Sequence, residues 1–415
     1  MTEKLSFDRL KDAVAGTAAA FRCRRRLQPA GGEGDKVFPP TFAGAVYAVE
    51  KRRVPGHETA VDCVLLDSVQ SQANRMELAL QEAIEERRIK IPLLEVDFSG
   101  HDPTGDIDAD REAGRLIDAV GRVTSLQVPH RLADAILRDS QIGGIDFRKS
   151  KTGKALNTVS WANATPIFEL CPTALVFGMW DSTGPKGGLG PKFERAIVSE
   201  VVGVGAEVGD LLRGVRRDPL EASRSVQIVK RSPVDWQVAD DPKAKGLVAP
   251  SKVNHSSVPF PEVRDRKTED NRYSGVTIEY AEQTTTLSLI CLRRLRFPIT
   301  GKANADADAA ARTVLAALGL CAATFAFESG MGLRSRCLLW PDGPMEWELL
   351  ERPGSSLDKF SLNADQAADL LTQAVAVAAN LNLPWKDEPI QLTPSSELLK
   401  LVRLSQFERI NEEPN

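Results

Sequence analysis

Residues Asp306–Phe327 read D-A-D-A-A-A-R-T-V-L-A-A-L-G-L-C-A-A-T-F-A-F, an alanine-rich run. Alanine has the highest helix propensity, so this run predicts a long helix. A strand-rich segment from residue 276 precedes it, and Leu333–Trp340 and Met345–Leu350 after it predict a hairpin. A second helix, Asn363–Asn380, has one apolar face. The order over 276–380 is β-α-β-β-α, which predicts a ferredoxin-like unit and the α+β class.

The composition is that of a soluble globular protein. The 415 residues can bury a large core, in one elaborated domain or in two to three smaller ones. No run approaches 18 apolar residues, and Met1–Leu10 lacks the apolar core of a signal peptide. The six cysteines are scattered without a C-x-x-C pair, which indicates reduced thiols. We therefore expect a cytoplasmic protein that does not contact a membrane.

The charge is unevenly distributed along the chain. A formal net charge of −4 argues against bulk attraction to nucleic acid. The acidic excess lies in residues 301–415, so the first 300 residues are slightly basic. A site for a polyanion is therefore expected in the first 300 residues.

A glycine-rich stretch, Trp180–Glu194, reads W-D-S-T-G-P-K-G-G-L-G-P-K-F-E. Glycines let the backbone approach a partner closely, and backbone N–H groups with Lys186 and Lys192 suit a polyanion. The stretch is not a Walker loop, because its glycine spacing is wrong. The alternative is a surface loop that only connects two elements.

A second basic segment lies near the start of the chain. The alternation in Phe21–Leu27 predicts a short edge strand with Arg22, Arg24 and Arg26 on one face. Lys36 follows in a glycine-rich turn. The segment predicts phosphate contacts, and the alternative is a solvated edge strand that its charges protect from aggregation.

A third candidate is the start of a helix. Val61–Leu66 predicts a strand, and Asp67 or Ser68 then caps a helix that runs to about Arg88. Its first turns carry polar side chains beside free N–H groups, which favours an anion site, although most such starts are only caps. These side chains include Gln70, Ser71, Asn74 and Arg75.

Two other segments predict local structure rather than chemistry. The aspartates of His101–Asp110 do not have calcium-loop spacing, and we expect them to cap a helix over Arg111–Arg122. Clustered carboxylates that hold a catalytic metal are the alternative. The proline-containing stretch Pro233–Asn271 predicts a long insertion.

Three motifs resemble one known family. They are L-Q-P-A-G-G-E-G-D-K-V-F-P-P-T at 27–41, L-L-D-S-V-Q-S-Q-A-N-R-M-E at 65–77 and W-D-S-T-G-P-K-G-G-L-G-P-K-F-E-R-A at 180–196. Their sequence and order resemble the backbone subunit of type I-G (formerly I-U) CRISPR interference complexes, of the RAMP superfamily. The second half of the chain resembles that family in general pattern and length.

The resemblance implies a fold and a set of partners. It implies a single elaborated domain over 1–415, an RRM-like palm with inserted finger and thumb elements, with 233–271 as a possible thumb. Copies would stack head-to-tail along CRISPR RNA, beside other subunits of the complex, and the guide would pair with the target DNA strand. Carried over by motif, the RNA-binding residues are Arg22, Arg24, Arg26, Lys36, Gln70, Ser71, Asn74, Arg75, Lys186, Gly187, Gly188 and Lys192.

The same residues allow other functions. The motifs could instead serve packing between subunits. Asp35, Asp67 and Asp181 could belong to an endoribonuclease of the RAMP type, acting on CRISPR or target RNA, but no histidine or metal partner lies near them in sequence. An enzyme that binds a phosphate ligand at the glycine loop would need a nucleotide fingerprint that the loop lacks. We therefore expect a non-catalytic protein with no cofactor and no metal.

Overall fold

The protein is an α+β structure organised around one large sheet. A computed structural model describes residues 2–43, 46–182, 184, 187, 190–208, 226–230, 236–239, 241, 247–248, 275–354 and 356–411. The strands of the main sheet are β1 Glu3–Lys4, β2 Ala20–Pro29, β3 Val49–Arg52, β4 Val61–Asp67, β5 Ile197–Val204, β6 Tyr280–Ser288, β7 Met331–Arg334, β8 Cys337–Pro341, β9 Glu346–Leu350 and β10 Asp358–Ser361.

The strand order brings distant parts of the chain together. Along the main path it is β1-β10-β9-β2-β6-β5-β4-β3, while β8 also pairs with β2, and β7 pairs with β8. Strand β2, from the N-terminal region, lies between β6 and β9, and it is antiparallel to both. Strand β6 of the predicted C-terminal unit is therefore not a neighbour of β8 or β9, because β2 separates it from them.

Five helices of nine or more residues are labelled here: α1 Phe7–Ala15, α2 Val69–Glu85, α3 Ala305–Glu328, α4 Ala364–Asn380 and α5 Ser396–Asn411. Helix α3 is the central one, and α1, α2 and α4 pack against it. Asn304 caps α3 by accepting a hydrogen bond from the Ala307 N–H. The long helices α3 and α4 confirm the two predicted from the sequence.

Helix α3 is the one described helix that is long and apolar enough to cross a membrane. Most of its apolar stretch, 83%, is buried inside the protein, as expected of a core helix in a soluble fold. Its small side chains allow close packing, and an added Cβ at Gly319 would lie 3.0 Å from Leu287 of β6. The apolar character of α3 therefore serves the core.

A second sheet extends the same core. Its strands are Leu94–Asp97, Arg122–Thr124, Ser140–Ile142, Ile145–Asp146 and Ile390–Pro394. Short helices surround it and the main sheet: Ile107–Glu112, Ala135–Arg138, Lys151–Ala155, Thr165–Leu170, Thr173–Val176 and Leu289–Arg293. Two-stranded sheets pair Thr41–Phe42 with Val46–Tyr47, Met179–Trp180 with Lys192–Phe193, and Glu207–Val208 with Val276–Thr277. A three-stranded sheet consists of Ile228–Lys230, Trp236–Val238 and Leu247–Val248.

Strand β2 shows how the sequence pattern sets the two faces of the sheet. Phe21, Cys23 and Leu27 are buried on the side of the helices. Arg24 and Arg26 are exposed on the other side, which we call the open face. The alternation predicted a strand correctly, but β2 is a central strand rather than an edge strand, since it pairs with β6 on one side and with β8 and β9 on the other.

Two other sequence predictions were wrong. The predicted hairpin around Pro341–Pro344 does not form, because β8 and β9 both run antiparallel to β2 and make one interrupted strand. The turn lies instead between β7 and β8, where Arg336 has a φ of 56°. The helix predicted over Arg111–Arg122 is shorter and begins earlier, at Ile107–Glu112, and Asp106 caps it by accepting from the Ala109 N–H.

The segment before the glycine-rich stretch is helical, although its composition is typical of a strand. Residues 171–177 have a strand-like composition, but Thr173–Val176 forms one turn of helix that is buried in the core. Most of the insertion at 233–271 lies outside the described residues. The described part contributes Trp236–Val238 and Leu247–Val248 to the small three-stranded sheet.

Two tryptophans allow a test of which face of the sheet is buried, because they lie on opposite faces. Trp347 is fully buried on the helix side, whereas Trp340 is 71% exposed on the open face. Trp347→Ala should lower the free energy of unfolding by about 3–5 kcal/mol, because it leaves a large cavity. Trp340→Ala should change it by less than about 0.5 kcal/mol. Urea unfolding followed by circular dichroism measures both, and equal losses would contradict the assignment of faces.

Candidate nucleic-acid interface

The start of α2 is where the three sequence motifs meet. Ser68 caps the helix, and its hydroxyl accepts a hydrogen bond of 3.2 Å from the Ser71 N–H. Gln70 and Asn74 lie one turn apart on the exposed side, and the Gln70 amide donates to the Asn74 carbonyl oxygen over 3.0 Å. The Arg195 guanidinium donates to the Gln70 carbonyl oxygen. The second and third motifs therefore share one surface.

Arg195 is the cation at this junction. Burial and the neighbouring Arg131 lower the pKa of its guanidinium. Its Nε is covered and has no hydrogen-bond partner among the described residues. Arg195 stands in the third motif but was not selected from the sequence, because a single arginine before an apolar strand carries no pattern of its own. Its place beside Gln70 depends on the fold.

A buried ion pair holds the glycine-rich segment to α2. Arg131 donates two hydrogen bonds to the Glu77 carboxylate, from Nε over 2.5 Å and from Nη2 over 2.7 Å. Its third nitrogen group, Nη1, donates to the Gly178 carbonyl oxygen over 3.0 Å. Both side chains are almost completely buried. Arg131 therefore fixes the start of the segment relative to α2. No local pattern predicts this contact, because residues 77, 131 and 178 are far apart in the sequence.

The described part of the glycine-rich segment folds around Asp181. The Asp181 carboxylate is buried and paired with Arg148. An added Cβ at Gly190 would lie 1.8 Å from the Asp181 carbonyl oxygen, and one at Gly184 would lie 2.5 Å from its carboxylate. Glycine is therefore required at both positions for close packing. Gly187 takes a left-handed φ of 55°.

Two of the predicted loop contacts, Lys186 and Gly188, lie outside the described residues. Lys192 is exposed, and its ammonium nitrogen lies 5.5 Å from the centre of the Trp180 ring. Trp180 is half-exposed, so the pair presents a cation and an aromatic face together. Among the described residues, no carboxylate forms an ion pair with Lys192 or Arg195.

Arg75 points away from this surface and into the fold. Its Nε donates to Asp67 over 2.9 Å, and its Nη2 donates to the Leu333 carbonyl oxygen over 2.6 Å. Arg334 of β7 also approaches Asp67, at 3.4 Å, and donates to the Phe38 carbonyl oxygen of the first motif. The Asp67 side chain is fully buried, so two arginines balance its charge. The structure thus gives Arg75 a role in joining the first and second motifs.

A buried polar chain continues from Asp67 beneath the sheet. Gln72 donates to Asp67 over 2.6 Å and accepts from Gln283 over 2.8 Å, and Gln283 accepts from Arg25 over 2.7 Å. Burial lowers the pKa of Arg25 to about 10. Ser199 donates to Gln72 over 2.9 Å, so β5 joins the chain. Such a network ties α2 to four strands, β2, β4, β5 and β6, which fixes the orientation of its polar start.

Three arginines of β2, Arg22, Arg24 and Arg26, lie on the open face, on the opposite side of the sheet from α2. Arg22 pairs with Glu348 of β9, and Arg24 pairs with Glu282 of β6, each over 2.7 Å. Arg26 lies over the Tyr280 ring, 4.1 Å from its centre. The guanidinium groups of Arg22 and Arg24 already have cross-strand partners, so they do not share the surface at the start of α2.

Lys36 lies in the turn of the first motif. Its N–H donates to the Asp35 carboxylate over 2.9 Å. The turn docks on the β7–β8 turn, because the Phe38 N–H donates to the Arg336 carbonyl oxygen over 3.0 Å. Of the twelve predicted contacts, the structure joins Gln70 to Asn74 and to Arg195, and Lys192 lies three residues before Arg195 in the same motif. It places Arg22, Arg24, Arg26, Lys36 and Arg75 elsewhere.

The fold and the site together define an α+β protein that has a polar, partly cationic surface at the start of one helix. Residues 21–208 match the family model described as CRISPR-associated protein GSU0053, which covers somewhat less than half of the chain. This match supports a Cas protein of a type I system with a role in CRISPR defence. No curated protein matches the sequence.

The family match tests the resemblance that was inferred from the three sequence motifs. The recognition of a CRISPR-associated family is confirmed, and the matched residues contain all three motifs and all twelve predicted contacts. The I-G subtype, the RAMP superfamily and the RRM-like palm stay predictions.

The buried pair of Glu77 and Arg131 yields a test of how the site is held. Arg131→Met should lower the free energy of unfolding by about 3–5 kcal/mol, because Glu77 is left buried without its partner. The double variant Arg131→Met/Glu77→Gln should recover part of this loss. The control is Arg122→Met, whose guanidinium is 65% exposed and lies 3.6 Å from Glu95, and which should cost about 1 kcal/mol or less. Equal effects of Arg131→Met and Arg122→Met in urea unfolding would contradict the structural role.

Proposed function

We propose that the protein is a non-catalytic RNA-binding backbone subunit that polymerises along CRISPR RNA in a type I interference complex for target DNA recognition. One observation carries the proposal, the surface formed by Gln70, Asn74, Trp180, Lys192 and Arg195, which we call the α2 surface. It lies within the region that matches the CRISPR-associated family. It combines two cations, two amides and one exposed aromatic ring.

The chemistry of the α2 surface suits a sugar–phosphate backbone. Lysine and arginine neutralise phosphates, and amide side chains reach phosphate and sugar oxygens without reading the bases. Trp180 offers a face on which any base or sugar can stack. Because the three types of group lie around one capped helix start, they can follow a strand without sequence preference, as a protein that must hold any guide requires.

The charge balance of the protein favours this surface over the other basic clusters. Arg22 and Arg24 of the open face are paired with glutamates, and Arg75 is engaged by Asp67. A phosphate there would have to displace a carboxylate. Lys192 and Arg195 have no such competitor among the described residues, so a phosphate gains more from them.

Assembly along the RNA follows from the need to hold a long guide. One α2 surface is small, so a strand of guide length needs several copies, each in the same relation to its neighbour. Such head-to-tail contacts are heterologous and make an open helical filament. The target DNA strand and the other subunits then meet the protein through the guide and the filament ends.

The alternative, a RAMP-type endoribonuclease, is less well supported. Asp67 is buried between Arg75 and Arg334, Asp181 is buried against Arg148, and Asp35 accepts from the Lys36 N–H of its own turn. Among the described residues, no group of three or more histidine, cysteine or acidic side chains could hold a metal ion. Incubation with labelled RNA, with and without a chelator, tests this alternative directly, and metal-dependent cleavage lost in Asp67→Asn or Asp181→Asn would favour it.

Salt-dependent binding tests the α2 surface. Lys192→Ala should weaken binding to an unstructured RNA and lower the slope of log affinity against log salt by about 0.7, the value for one phosphate contact with a single strand. Arg195→Gln should lower the slope by a similar amount. Fluorescence anisotropy at several salt concentrations measures both.

Lys51→Ala is the matched control, because Lys51 is an exposed cation of β3 that pairs with Asp62. It should leave the slope unchanged. The same slope for wild type, Lys192→Ala and Arg195→Gln would contradict the assignment of RNA contacts to this surface.

A further inference from the structure

The open face carries an exposed aromatic side chain that the proposed function does not use. Trp340 of β8 is 71% exposed, and Leu338 two residues before it is 54% exposed. Trp340 lies directly opposite Gln28 of β2, and the β2–β6 pairing ends at Leu27 and Ala281, the residues next to Gln28 and Tyr280. The side chains of Trp340, Gln28 and Tyr280 form one row across the sheet, since directly paired residues point to the same face.

Cations lie beside this row. Arg26 is two residues from Gln28 on β2 and stacks over Tyr280, so it is a diagonal neighbour of Trp340, at about 7–8 Å between Cα atoms. A groove of about 280 Å³ continues along β2, and it is lined by Arg22, Arg24, Arg25, Arg26, Glu282 and Glu348. The guanidinium groups of Arg22, Arg24 and Arg26 thus face two carboxylates, so the groove has a positive excess, while the Arg25 side chain is buried on the other face.

We propose that Trp340 and Leu338 form a stacking platform for the unpaired bases of single-stranded RNA, with Arg26 contacting the phosphates. An exposed indole beside guanidinium groups is the combination that binds single strands, because every base has a π face. The choice of RNA as ligand rests on the proposed function. The platform itself lies on the open face, on the other side of the sheet from the α2 surface.

A protein partner fits this face less well. The ion pairs Arg22–Glu348 and Arg24–Glu282 are partly exposed there, and a dry protein interface would have to remove their water at a high cost. Interfaces with nucleic acids are polar and retain water, so the same pairs can remain hydrated or exchange carboxylate for phosphate. A single exposed tryptophan within a charged surface is therefore better matched to a base than to an apolar protein surface.

The test compares RNA that has bases with RNA that lacks them. The full chain and its Trp340→Ala variant are titrated with a fluorescent unstructured oligouridine and with an abasic oligomer of the same length. Trp340→Ala should weaken binding to oligouridine about 5- to 100-fold, the range for loss of one base–aromatic stack. It should leave binding to the abasic oligomer unchanged. Trp340→Phe should keep most of the affinity, and Leu401→Ala, an exposed apolar residue of α5, should have no effect.

The outcomes separate this inference from the proposed function. Lys192→Ala should weaken binding to both oligomers, because the α2 surface holds the backbone. If it does so while Trp340→Ala binds oligouridine as well as the wild type, the platform is overturned and the proposed function stands. If Trp340→Ala instead only reduces self-association in sedimentation velocity, the face is a contact between copies, which also overturns the platform. If the wild type binds neither oligomer, both proposals fail.

Discussion

The geometry of the site depends on the buried ion pair between Glu77 and Arg131. The pair joins the middle of α2 to residue 178, where the glycine-rich segment begins, so it sets where Trp180 and Lys192 lie relative to Gln70. A buried pair is costly to form but more costly to break, because either partner alone would be an uncompensated charge. Such a pair adds little net stability, but it allows only one relative position of the two segments, and the α2 surface is a consequence of that position.

Charged motif residues are divided between structure and surface. Asp67, Arg75, Glu77 and Asp181 are engaged in pairs or networks that join the motifs to one another. The groups that remain for a ligand are fewer: two amides, two cations and an aromatic ring at the α2 surface, and the groove of the open face. This division explains how a chain with a net charge of −4 can still present local sites for a polyanion, since most of the arginines in the described part of the chain pair with carboxylates.

Local patterns predicted elements well and long-range pairing poorly. The helices α2, α3 and α4 and the strand β4 follow from apolar periodicity and capping residues, which act over a few residues. The central place of β2 and the collinear strands β8 and β9 depend on hydrogen bonds between segments some 300 residues apart, which no local pattern encodes. The same limit applies to the site: Gln70, Asn74 and Lys192 could be selected as polar groups in glycine-rich or helix-start contexts, whereas Arg131, Arg195 and the exposure of Trp340 became evident only when distant segments were placed side by side.

The central claim is that this protein holds guide RNA through the α2 surface. The most direct measurement is purification without nuclease treatment, ultraviolet crosslinking, and identification of both the bound RNA and the crosslinked peptides by sequencing and mass spectrometry. The account predicts short RNAs that carry CRISPR spacers, with crosslinks in the peptides that contain Gln70 and Asn74 and in those that contain Trp180 and Lys192. A protein that carries no RNA and binds no added CRISPR RNA at low salt, or crosslinks that avoid these peptides, would contradict it.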